Sequence, residues 1–117
     1  MSDNLYKYDM LSFMDATAKL TNHELVVVTP VGNYFGNFYS GEKDKEYEYL
    51  EPFFENFKKI RKSIPDENNP RAIFLVDVTL ITTSHQKFKM PFVCLFIDQI
   101  LGVSLGKYSF GQQNSAD

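Results

Sequence analysis

The stretch Ala72-Ile73-Phe74-Leu75-Val76-Asp77-Val78-Thr79-Leu80-Ile81 decides the fold. Its aliphatic, β-branched and aromatic residues, interrupted by a single carboxylate, have the density of β-formers expected of a long central strand. Upstream, Glu24-Leu25-Val26-Val27-Val28-Thr29-Pro30 reads as another strand. Val31-Gly32-Asn33 supplies turn chemistry, and Tyr34-Phe35-Gly36-Asn37-Phe38-Tyr39 returns as the second arm of a hairpin. Gly36 within that arm predicts a bend or bulge, because glycine there gives up packing and is kept where a sheet must curve. Downstream, the polar turn Thr83-Ser84-His85-Gln86 leads into Phe88-Lys89-Met90-Pro91-Phe92-Val93-Cys94-Leu95-Phe96-Ile97. Asp98-Gln99 and then Ile100-Leu101-Gly102-Val103-Ser104-Leu105 follow, which gives two strands joined by almost no loop.

Two segments have helical periodicity. From Asp9 to Leu20, Met10, Phe13, Met14 and Thr17 fall at helical spacing, with Asp9 the expected N-cap and Thr21-Asn22 the end. Between hairpin and central strand, the charged run Gly41 to Tyr49 leads into Leu50-Glu51-Pro52-Phe53-Phe54-Glu55-Asn56-Phe57-Lys58-Lys59-Ile60. There Leu50, Phe53, Phe54, Phe57 and Ile60 share a face and Pro52 suits a first turn. The expectation is a short helix inside an insertion of about residues 41–70, closed by Pro65 to Pro70. Residues 1–110 then form one domain, and the polar stretch 111–117 is expected to be a disordered tail.

With 117 residues, 44% of them hydrophobic, the chain is one domain's worth of protein and buries roughly two-thirds of its unfolded surface. Eleven Phe and seven Tyr without Trp predict a core rich in rings. The lone Cys94, inside the apolar run Phe92 to Phe96, reads as a buried inert thiol in a reducing compartment. Met1-Ser2-Asp3-Asn4 shows no basic patch before an apolar stretch. No segment reaches the roughly 18 apolar residues that a membrane helix needs, so the expectation is a cytoplasmic protein without a membrane partner. A net charge of −3 excludes a surface that is basic throughout. Nucleic-acid binding would have to come from a local patch or from a ring of repeated sites.

The ordered set of elements resembles the Sm/LSm family over nearly the whole chain. Gly32-Asn33-Tyr34-Phe35-Gly36 looks like its glycine-framed turn, Leu75-Val76-Asp77-Val78-Thr79-Leu80-Ile81 like its third strand, and Phe96 to Ser104 like its second motif. The resemblance implies a mainly β fold: a strongly bent, five-stranded antiparallel Sm-like barrel with an N-terminal helix and a short helix in the insertion. It also implies a homo-oligomeric ring of five to seven subunits, in which the fourth strand pairs with the fifth strand of a neighbour. Such a ring would bind single-stranded RNA or DNA as an accessory to nucleic-acid processing or chaperoning. Head-to-tail closure would also cover the apolar fourth strand, whose open edge is otherwise an aggregation hazard. Two departures stand out. The insertion replaces the family's Asp-x-Met-Asn loop, and Asp98-Gln99 replaces its Arg-Gly and so reverses a charge that faces the RNA.

The candidate contacts follow from charge and chemistry. Lys58, Lys59, Arg61 and Lys62 form the sharpest basic cluster, with Arg71 just beyond it, suited to phosphates; the alternative is a solvated helix face balancing Glu51 and Glu55. The resemblance puts Asn68, Asn69, Asp98 and Gln99 at the pore, where Asn and Gln can read base edges. Asp98-Gln99 could equally be a tight turn. Tyr34, Phe35, Phe38 and Tyr39 could stack on bases or simply form core. His23 and His85 lie far apart in polar turns without accompanying carboxylates or sulfur, so no metal or other cofactor is expected. Asp77 reads as a strand-end or ring-contact residue, and no clustered constellation points to an enzyme. The rival to nucleic-acid binding is an oligomeric scaffold of the same fold that docks a protein partner through its insertion helix.

Overall fold

The computed structural model describes residues 3–39, 45–63 and 70–107; the side chains of Asp3, Lys45, Glu46, Arg61, Lys62 and Ser63 also fall outside the description. Helix α1 (Asp3–Leu20) precedes strands β1 (Glu24–Thr29) and β2 (Gly32–Phe38). A 3-10 segment (Lys45–Leu50) and helix α2 (Glu51–Ser63) separate these from β3 (Ala72–Thr82). Strand β4 (Lys87–Phe96), a 3-10 turn (Ile97–Gln99) and β5 (Gly102–Gly106) complete the chain. The five strands form one antiparallel sheet in the order β4-β3-β2-β1-β5. The expected barrel is not closed, because β4 and β5 lie at opposite edges of the sheet. The reason is the path of the turn between them. Ile97 donates its N–H to the Arg71 carbonyl at the start of β3, and Leu101 donates to Val28 near the end of β1, so β5 continues along β1.

Helix α1 starts earlier than its amphipathic pattern suggests, so Asp9 lies within the helix and is not its N-cap. Its inward face is also different. Leu11, Asp15 and Ala18 are buried and Met14 packs partly against the core, while Met10, Phe13 and Thr17 are exposed. At its C-terminus Asn22 adopts φ 59; His23 N–H bonds Ala18 O at 2.7 Å and Asn22 N–H bonds Lys19 O at 3.4 Å. This is a Schellman ending with asparagine at the left-handed position, which asparagine tolerates better than most side chains.

The hairpin turns at Pro30-Val31, one residue earlier than the glycine suggests, because Gly32 pairs with Thr29 and already belongs to β2. Thr29 Oγ1 donates to Gly32 O at 2.9 Å and fastens the turn from inside. The bend expected at Gly36 is a bulge: β2 pairs with β3 as Phe35↔Thr79 and then as Asn37↔Val76, a one-residue shift. The extra residue lies on β3, where Asp77 has φ 55. Asp77 is therefore a mid-strand residue, not a strand end. Its backbone resets the alternation, so that Ile73 and Leu75 before it and Val78 after it all join the core.

That core also takes Leu25 and Val27 from β1, Leu95 from β4, and Ile97 and Ile100 from the 3-10 turn, with Leu11 of α1 above them. Residues of the opposite parity, Phe74 on β3 and Phe92 on β4, meet the insertion helix instead. The sheet is thus covered by α1 on one face and by α2 on the other at its β3–β4 end. No helix among the described residues is long and apolar enough to cross a membrane.

Candidate nucleic-acid interface

Helix α2 is held by rings. Phe54 stacks on Tyr39 at 4.9 Å and meets Phe74 edge-on at 5.0 Å, Phe57 meets Phe74 at 5.0 Å, and Phe53 meets Phe92 at 5.3 Å. Edge-on and offset geometries of this kind add to plain area burial. Leu50 is buried at the entrance to the helix, whereas Ile60, which shares its periodicity, is exposed. The insertion is also tied to the sheet by polar contact, with Tyr47 Oη donating to Asp77 Oδ2 at 3.0 Å.

With its rings turned to the sheet, α2 leaves Lys58 and Lys59 exposed beside Glu51 and Glu55. Arg61 and Lys62 belong to the same helix, and their side chains lie outside the described residues, as do Asn68 and Asn69 altogether. Arg71 is exposed, and its backbone carbonyl receives the Ile97 N–H. Arg71 therefore stands next to the 3-10 turn in which Asp98 and Gln99 are exposed. The fold thus brings Arg71 and the Asp98-Gln99 pair, 27 positions apart in the chain, to one rim. Phe57 packs on Phe74, three residues beyond Arg71.

The aromatic residues of β2 and Tyr39 just after it pack within the protein. Tyr34 and Phe38 pack against the core, Phe35 approaches Gly106 on the opposite face, and Tyr39 is engaged with Phe54 and Tyr47. His23 Nδ1 shares a hydrogen bond with Thr21 Oγ1, and His85 sits exposed at φ 67 in the β3–β4 turn. Cys94 is only partly buried, and that burial pushes its thiol pKa up.

Asp15 was not marked by the sequence. It is buried, accepts the Phe38 N–H at 3.1 Å through Oδ1, and pairs with Lys19 Nζ at 3.0 Å through Oδ2. The i,i+4 spacing to Lys19 is the one local signal that points to the ion pair, and nothing local points to the bond to β2. Beside Asp15 a groove of about 540 Å³ runs between α1, the end of β2 and α2, lined among others by Tyr8, Ser12, Tyr39 and Phe54. Lys7 Nζ donates to Ile97 O at 3.3 Å, fastening α1 to the rim turn.

No protein-family model, curated protein or solved structure matches the chain.

Proposed function

We propose that the protein is an Sm-like subunit that assembles into a cytoplasmic ring of five to seven copies and binds single-stranded RNA or DNA in an accessory, non-catalytic role. The observation that carries this reading is the strand order β4-β3-β2-β1-β5, which leaves the fourth and fifth strands as the two edges. Those edges are the ones that head-to-tail closure of such a ring would join. Exposed Phe88 and Phe96 on β4 and Leu101 just before β5 support it, since large apolar side chains along an edge favour a covering partner. On this reading the bulge at Gly36 and Asp77 serves the strong bend of the sheet. Arg71 beside the Asp98-Gln99 turn, with Lys58 and Lys59 exposed on α2, supplies cations and amide groups that a ring would repeat around its axis.

A second reading has its own support. Asp98 puts a negative charge on the rim, and α2 exposes Phe53 and Ile60. A ring of this kind could be a scaffold that docks a protein partner through the insertion helix and binds no nucleic acid.

The test combines the solution mass by light scattering with binding of fluorescent poly-uridine and a single-stranded DNA oligomer at two salt concentrations. A ring whose binding weakens steeply with salt supports the first reading, because phosphate contacts release counterions. A ring that binds neither oligomer moves the assignment to the scaffold. A monomer at micromolar concentration removes the ring.

A further inference from the structure

Helix α1 carries a second apolar stripe that the monomer leaves open. Tyr6, Met10, Phe13, Thr17 and Leu20 follow one another at intervals of four, three, four and three. This is the repeat that keeps one seam of a helix turned toward a partner helix. All five are exposed, with Tyr6 at 71%, Met10 at 39%, Phe13 at 68% and Leu20 at 88%. The seam is distinct from the face that Leu11, Met14 and Ala18 press into the core.

We infer that this stripe is a self-association surface, on which α1 of a second copy of the chain packs. The spacing asks for a helix, since a strand would present side chains at a period of two. The stripe carries no charged residue, so it can face its own copy across a two-fold axis without like-charge contact. An antiparallel pairing centred on Phe13 sets each Tyr6 against the other copy's Leu20 and opposes the two helix dipoles favourably. Area permits the pairing. At about 150–250 Å² for a whole ring side chain, the exposed parts of the stripe amount to roughly 500 Å² per copy. A pair could bury up to about 1,000 Å², the low end of what a specific interface needs. The contact lies on α1 and not on the β4 and β5 edges, so it is separate from ring closure and would join two chains or two rings.

The test uses the full chain. Phe13→Cys in a Cys94→Ser background, under mild oxidation, should give a covalent dimer at least tenfold in excess of Lys58→Cys in the same background, because only residue 13 sits on the axis. Phe13→Glu, at an exposed position, should keep the circular dichroism spectrum and halve the mass seen by light scattering. Absence of the excess dimer, or a Phe13→Glu mass equal to that of the unaltered chain, overturns the inference. Pairs that form without any larger ring leave the inference standing while removing the ring.

Discussion

Tyr47 Oη reaches Asp77 Oδ2 at 3.0 Å, so the insertion is anchored to the β3 residue whose φ of 55 makes the bulge. One carboxylate thus serves two purposes, holding the 3-10 segment and occupying a conformation that most side chains avoid. A left-handed conformation costs a non-glycine residue roughly 1–2 kcal/mol. Asp77→Gly removes that strain together with the hydrogen bond, whereas Asp77→Ala removes the bond and keeps the strain. Urea unfolding should therefore find the alanine variant about 1–2 kcal/mol less stable than the glycine variant. Equal stabilities would show that the backbone at this position is unstrained.

Gly32 sits at φ 150, and a Cβ there would overlap the carbonyl oxygen of Ile81 and crowd Thr82 Cα. Both obstacles are backbone of the neighbouring strand and cannot turn aside. Gly32→Ala should lower stability by about 3 kcal/mol. Gly102→Ala, whose new Cβ would meet only Val28 Cβ at 3.9 Å, should change stability by about 0.5 kcal/mol at most. Thermal melts of the two variants side by side check the contrast.

If α2 contacts phosphates, replacing Lys58, Lys59, Arg61 and Lys62 together by Ala should weaken binding of single strands by about tenfold or more at low salt. It should also flatten the slope of log affinity against log salt by roughly 0.7 for each phosphate that is no longer neutralised. The assembly mass should stay unchanged, because the helix is held by Phe53, Phe54 and Phe57. Unaltered affinity would take this helix out of the interface.

Burial raises the thiol pKa of Cys94 in the folded chain above its ordinary value. At a given pH the folded protein therefore carries less thiolate than the unfolded one. Alkylation by iodoacetamide near pH 8 should be slower in the native state than in urea. The sign for stability follows from proton binding: above the unfolded thiol pKa the native state holds the extra proton, so stability falls as pH rises through that range. Cys94→Ala should remove this part of the alkaline decline, measured by urea unfolding at pH 8 and pH 10.

The strands were legible because their information is local. The β-branched run of β1 and the aliphatic run of β3 need no distant partner to be read, and Gly36 marked the bulge by lacking a side chain. The face of α1 was not legible, because Met10, Phe13 and Thr17 on one side compete with Leu11, Met14 and Ala18 on the other, and only the position of the sheet decides which is buried. Asp77 read as a strand-end or ring-contact residue and lies in mid-strand instead, since its φ is set by a register shift between two strands. The rim that joins Arg71 to Asp98-Gln99 follows from the β3–β4 register, which pairs Ala72 with Phe96 and brings Ile97 N–H to Arg71 O, and no pattern of neighbours along the chain announces it.

The ending of α1 has a mechanical consequence. Thr21, Asn22 and His23 all return their N–H groups to the last turn of the helix, and the next residue, Glu24, already starts β1. Such a junction leaves little slack for a hinge, which predicts that α1 and the β1–β5 side of the sheet tumble as one rigid lever. A torque applied along the helix by anything it binds would pass directly into the sheet edge at β5. The amides of residues 21–23 would then be as quiet on the nanosecond timescale as those of β1.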